Sequence, residues 1–343
     1  MTEKRVGYLS ILRAAGCVAI VILHTFYLGL SAYAATTAHQ ILSMVVRNIL
    51  LWAVPCFVMV SGALLLDPEK EMTIAKIARA YLRRVLLALL IATFAFSLFD
   101  ALVGEGFSVA QLFRDWLADL WTNGSWPHMW YLYLLIGLYL MLPLYRLVTA
   151  TRDTRILLYA IGIFFVFLSV IPTIGYISGR ASGLYLLSYT VYPFYFFMGY
   201  ALHTGTISLP RTVAWTLVVA GTLILFLCTV FSVRTGNEAL RSLSGSYASV
   251  PVAMQAIGLF SLLRNGRKMT KGSVARFLLR VDAMSFGIYL VHVLFIYLFY
   301  RVLKWNPYVA GGILLVPITV LVFILSYGLT AVLKKIPGSD RVI

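Results

Sequence analysis

Ten apolar runs, each long enough to cross a bilayer, follow one another through this 343-residue chain and leave little sequence between them. They lie near 8–31, 42–66, 85–103, 129–149, 156–177, 184–202, 211–233, 247–263, 283–303 and 308–333. A hydrocarbon core about 30 Å thick needs about 20 residues of helix to span it. In lipid the backbone must also be hydrogen-bonded within each segment. The fold class read from the sequence is therefore all-α, a polytopic transmembrane bundle of about ten spans forming one domain over 1–343. Composition agrees, with 61% hydrophobic and only 12% charged residues, where soluble domains carry about 25% charged. The eighth run is the weakest, being short and having Pro251 in its first turn, a position where proline is tolerated.

A formal net charge of +16 would suit nucleic acid, but the distribution argues for a membrane instead. Twenty of the 28 Lys and Arg residues fall in one set of alternating loops. Seven fall on the other side: Arg47, Arg114, Arg180, Arg234, Arg241, Arg301 and Lys304. The positive-inside rule then places both termini in the cytoplasm, with the basic side facing anionic lipid headgroups and any anionic cytosolic ligand. A cleavable signal peptide does not fit the first run, because about 24 residues interrupted by an Arg and a His exceed the 7–15 of an uninterrupted signal core. Cys17, Cys56 and Cys228 all sit within spans; they read as small buried hydrophobes, with neither a disulfide framework nor metal-ligand spacing.

Within the first run, Arg13 and His24 are eleven residues apart. Eleven helical steps return the two side chains to nearly one face, roughly 16 Å apart along the axis. Ionisable side chains inside a span are costly and mark function by default. His24 suits a general base for a hydroxyl nucleophile; the plain alternative is an imidazole hydrogen-bonded between helices. Arg13 either snorkels to the basic interface or turns inward to bind an anion, for which its planar fork suits phosphate. Lys76, Arg79 and Arg83 follow i, i+3, i+7 spacing, with Arg84 beside them. They read either as a topology determinant on anionic lipid or as ligands for the phosphates of a cytosolic cofactor.

Ser285, Tyr289 and His292 form a polar stripe at i, i+4, i+7 in the ninth run, which must face protein or water rather than lipid. Trp126, Trp130 and Tyr131 read as interfacial belt residues, with His128 solvated among them. Asp115 and Asp119 read as a hydrated outer-loop pair.

These features together resemble the acyltransferase-3 family of integral membrane acyltransferases. The matching segments are Leu12-Arg13-Ala-Ala-Gly with His24, Pro55-Cys-Phe57 through Ser61-Gly62, and Met129-Trp130-Tyr131 through Gly137 and Tyr139. Pro193-Phe-Tyr195 through Gly199 and Ser285-Phe-Gly287 through His292 complete them. The resemblance implies transfer of an acyl group, most often acetyl, from acyl-CoA to a sugar hydroxyl of a surface polysaccharide or its lipid-linked precursor, at a bacterial inner membrane. It implies His24 and Arg13 as catalytic residues, and phosphate contacts from Arg13, Lys76, Arg79, Arg83 and Arg84. Trp130, Ser285, Tyr289 and His292 become candidates for contact with substrate. No metal and no nucleic-acid partner are expected. The chain departs from the family pattern at Ser10, where an acidic residue is usual three positions before the arginine, and at Lys76-x-x-Arg79, where Arg-x-x-Arg is usual. The rival functional reading is a glycan or lipid-linked-precursor transporter, which predicts broken helices in repeated positions.

Overall fold

The structure is a computed structural model describing residues 7–104, 108–178, 190–266, 273–339 and 342. The chain is helical throughout the bundle. The first three helices are α1 (Gly7–Ala32), α2 (Thr37–Ile49) and α3 (Ala53–Leu65). After α4 (Ile74–Val103) come α5 (Val109–Thr122) and α6 (Trp130–Ala150), then α7 (Thr154–Ser178). The second half holds α8 (Tyr192–Thr204), α9 (Arg211–Thr235), α10 (Glu238–Gly245) and α11 (Val250–Arg264). It closes with α12 (Ser273–Val302) and α13 (Leu315–Leu333).

Nine segments among the described residues are long and apolar enough to cross a membrane, with α2 and α3 counted as one and α10 and α11 as another. The sixth expected span, 184–202, is represented by α8, and its residues 184–189 lie outside the described residues. The second expected span is not continuous: Leu50, Leu51 and Trp52 form a turn between α2 and α3. The tenth starts later than its apolar run, since residues 308–314 are turns. The sequence reading missed α5, an amphipathic helix capped by Ser108, whose hydroxyl accepts from Gln111 N. It is pinned beside α4 by a bond from Trp116 Nε1 to Thr93 Oγ1 of 3.0 Å.

Helices in lipid gain little from burying apolar surface against one another, so close packing of small residues holds them together. The tightest contact joins α3 and α8. A Cβ on Gly62 would lie 1.8 Å from Phe196 O, and one on Gly199 would lie 2.0 Å from Met59 O. Each glycine thus receives the other helix's backbone. This explains why both helices, which begin with Pro55 and Pro193 near their N-termini, carry a downstream glycine. Around this centre, 67% of the most apolar window of α1 is buried, against 22% for α9. The outer helices expose apolar ridges such as Val219, Leu223 and Phe226 on α9 and Val316, Val320 and Ile324 on α13, the faces expected to meet acyl chains.

The relationship that builds the site is between α1 and α12. They pack side by side and run parallel: Arg13 meets Asp282, Cys17 meets Ser285, and His24 meets His292. Parallel helices cross the bilayer in the same sense, as alternation requires for the first and ninth of ten spans.

Candidate active site

At the basic end of the α1–α12 interface, Arg13 Nε donates to Asp282 Oδ1 at 2.6 Å and Arg13 Nη2 donates to Asp282 Oδ2 at 3.1 Å. The fork-on-fork geometry fixes both side chains. The Asp282 side chain is only 1% exposed while that of Arg13 remains 25% exposed, so the carboxylate acts as a buried anchor and the guanidinium keeps an open edge. Arg13 turns inward rather than snorkelling away. The acid absent at Ser10 is supplied from a distant helix instead. Ser10 itself is buried, with its hydroxyl unpaired.

The open edge of Arg13 faces a cavity of about 680 Å³, within the range of pockets that take small-molecule ligands. Its lining carries the cations Arg13, Lys70 and Arg84 against the carboxylates of Asp67 and Asp282; Tyr131 and Tyr289 are also among its lining residues. Of the cations expected from the start of α4, only Arg84 reaches it. Lys76, Arg79 and Arg83 are exposed and do not line it. The reason is local geometry: Ile77–Leu82 is π-helical, and the wider turn breaks the single face that regular α spacing would give these three residues. Lys70, which the sequence reading did not select, comes in from the preceding loop. Arg146 holds that loop by donating to the carbonyls of Leu65, Asp67 and Lys70 at 2.6, 2.7 and 2.6 Å.

Further along the interface, His24 Nδ1 lies 2.8 Å from His292 Nε2. His292 Nδ1 in turn lies 2.7 Å from Tyr289 O. A carbonyl only accepts, so His292 Nδ1 carries the proton and neutral His292 offers Nε2 as an acceptor. His24 must then donate through Nδ1. Its Nε2 then carries the lone pair, and the ring also bonds the Ile20 backbone one turn back on α1. His24 is half-buried rather than sealed. This is the arrangement a general base requires, with the tautomer set by a second ring.

His128 is the residue that sequence reasoning placed wrongly. It is fully buried, not solvated, with its ring centroid 5.1 Å from that of His292 and 6.2 Å from that of His24. Its Nε2 lies 3.2 Å from Leu290 O, and its own carbonyl accepts from the Tyr289 hydroxyl. His128 precedes α6, and there burial and the neighbouring His292 push its pKa below the ordinary histidine value. The presumed aromatic belt is likewise folded inward: Trp126 is buried, stacked on Phe96 at 4.0 Å, and donates to Asp100 Oδ2 at 2.7 Å.

Of the other predicted contacts, Tyr289 lies between cavity and histidines, its ring 5.8 Å from His292. Ser285 lines the cavity, but its hydroxyl donates to Asp282 O at 2.8 Å. Trp130 lies apart from both, against Tyr192 and Tyr247 with centroids 5.9 and 5.5 Å away. Among the described residues no cluster of His, Cys, Asp or Glu is placed to hold a metal ion.

The α1–α12 interface thus carries a cavity lined by Arg13 at one end and the His24 imidazole further along. The acyltransferase-3 family, described as an acyltransferase domain, matches residues 6–333. The chain belongs to that family and is an integral membrane acyltransferase. No curated protein and no solved structure gives a significant match to the chain.

Proposed function

We propose that this protein moves an acyl group, acetyl in the simplest case, from acyl-CoA to a sugar hydroxyl of a cell-surface glycan or its lipid-linked precursor in a bacterial inner membrane. The observation that carries the proposal is the in-register α1–α12 pairing. It holds the Arg13 guanidinium and the His24 imidazole about 16 Å apart on one interface, a spacing that an extended pantetheine arm can bridge.

In this reading the basic end faces the cytosol, and the CoA phosphates engage Arg13, Lys70 and Arg84 at the cavity. Lys76, Arg79 and Arg83 contribute at most to the surrounding positive field. The pantetheine arm runs inward towards Tyr131 and Tyr289, delivering the thioester to the histidines. His24 Nε2 takes the proton of the sugar hydroxyl as its oxygen attacks the thioester carbon. The C–S bond breaks, and the thiolate leaves and takes up a proton. His292 acts as a positioning residue, keeping His24 in the tautomer that can accept.

The transport reading called for broken helices in repeated positions, and the sequence offers no convincing pair, since the Pro55 and Pro193 segments of the short α3 and α8 differ in spacing. These two helices meet backbone to glycine with no space between them for a solute, so they brace the bundle.

The test uses purified protein in lipid nanodiscs with acetyl-CoA and deacylated envelope glycan. Release of CoA thiol matched by acyl-ester formation on the glycan supports the proposal. Absence of both at saturating donor, with CoA bound, would sink it. Labelled acetyl-CoA without acceptor should leave no label on the protein, because His24 acts as a base and not as an acyl carrier.

A further inference from the structure

By loop position Arg47 belongs among the outer-side cations, yet it lies partly buried in the bundle. It stands in the last turn of α2, about 15 Å along the helix from its start at Thr37. It is partly buried, with its guanidinium carbon 4.9 Å from the centre of the Tyr27 ring. Among the described residues no carboxylate pairs with it. Its Nη1 donates to Asn48 Oδ1 at 2.6 Å. Asn48 is itself buried and held by Thr229 Oγ1 at 2.9 Å and Ser244 Oγ at 3.2 Å. A buried polar network thus orients a cation that has no anionic partner among the described residues, an expensive arrangement unless an anion arrives from outside.

The surroundings indicate where that anion would sit. The Tyr27 ring under Arg47 stands three residues, about one helical turn, beyond His24 on α1. Arg47 Nη1 would stand only 3.3 Å from a Cβ on Gly245. Gly245, Ser246 and Tyr247 line a second cavity, about 380 Å³, together with Tyr176, Thr190 and Tyr192. Tyr192 and Tyr247 are two of the three rings against which Trp130 packs, the third being Tyr131. Hydroxyl groups beside a cluster of aromatic faces suit a sugar, whose ring offers C–H groups to the faces and hydroxyls to the polar atoms.

We infer that Arg47 and the Trp130–Tyr192–Tyr247 cluster form the acceptor subsite, and that the acceptor is an anionic carbohydrate, bearing either a carboxylate or a phosphate. This rests on the acyl-transfer reading for its placement beside His24, but sugar binding can be measured without any donor.

Full-length protein in phosphatidylcholine nanodiscs is titrated calorimetrically with glucose, glucuronate and glucose 1-phosphate. At least one anionic sugar should bind about tenfold or more tightly than glucose, the effect of one charge-assisted contact. Preference for glucuronate alone assigns the carboxylate, and preference for glucose 1-phosphate alone assigns the phosphate. Arg47→Gln should erase the preference and Arg47→Lys should keep part of it. Tyr247→Leu should weaken all three sugars alike without changing their ranking. CoA binding at the distant cavity reports that each variant is folded. Equal binding of all three sugars, no binding of any, or a preference that survives Arg47→Gln would overturn the inference. Failure here alongside intact acyl transfer would leave the donor chemistry standing and remove only this subsite.

Discussion

His292 accepts, rather than donates, the 2.8 Å hydrogen bond that joins it to His24. Its own proton is committed to the Tyr289 carbonyl, so the direction of the bond between the rings is decided by the α12 backbone. The lone pair on His24 Nε2 follows from that one commitment.

His24→Ala should lower acyl transfer by about 10²–10⁴-fold, the usual worth of a positioned base. The variant should insert and melt much as the parent does. Asparagine, which can hydrogen-bond but not take up the proton, should do no better. Ester formation on glycan by well-folded His24→Ala at the parental rate would remove the base from the mechanism.

Replacing His292 separates positioning from chemistry. His292→Leu should lower kcat by roughly 10–100-fold, because His24 then loses the partner that sets its tautomer. KM for acyl-CoA should not move. His292→Gln, whose amide oxygen can accept from His24, should recover part of kcat. Equal activity of Leu and Gln variants would argue that the ring only fills space.

Asp282→Asn keeps the shape of the Arg13 anchor and removes its charge. Loss of the charge-assisted fork should cost about 1–3 kcal/mol of stability, read as a lower melting temperature in nanodiscs. A double variant with both residues made leucine should lose less than the two singles combined. Strict additivity would mean that the pair is not coupled. Arg13→Lys should weaken donor binding, since an ammonium cannot present two parallel donors.

Gly62→Ala should prevent stable assembly, or cost at least about 3 kcal/mol, because the clash at 1.8 Å is with the Phe196 carbonyl and not with a pliable side chain. Gly137→Ala is the matched control. A Cβ there meets nothing within 4 Å, and the variant should be neutral or gain up to about 1 kcal/mol in helix propensity. Surface expression and thermal stability distinguish the two.

Reporter fusions after residues 70 and 208 should read as cytoplasmic, and fusions after residues 123 and 236 as external. A reversed signal at 208 would contradict the assignment of α8 as the sixth crossing.

What the sequence disclosed followed from local periodicity. Arg13 and His24 could be placed on one face because helical spacing is fixed along a single helix. Ser285, Tyr289 and His292 could be placed likewise. Their pairing across 268 residues of sequence depends on tertiary packing that no local period carries. Asp282 escaped because the ninth run was begun at residue 283. Extending the run by one residue adds Asp282 at i−3 from Ser285 and lengthens the same stripe. His128 and Trp126 were misread because aromatic residues beside a span look alike whether they face headgroups or fold inward. The π-helical stretch in α4 left no mark in the pattern of charges, so the cations chosen there were mostly those facing away from the cavity.

The offset between α1 and α12, which changes by only one residue from Arg13 to His24, makes the pair behave as a ruler with a mark at each end. A slip of one helical turn, about 5.4 Å, would break the grip on Arg13 and the grip on His24 together. Neither end can be released by sliding while the other stays engaged. Any motion that opens the path between the two ends must therefore hinge the helices apart or bend them, and the length standard between cation and base is kept as long as the two remain in contact.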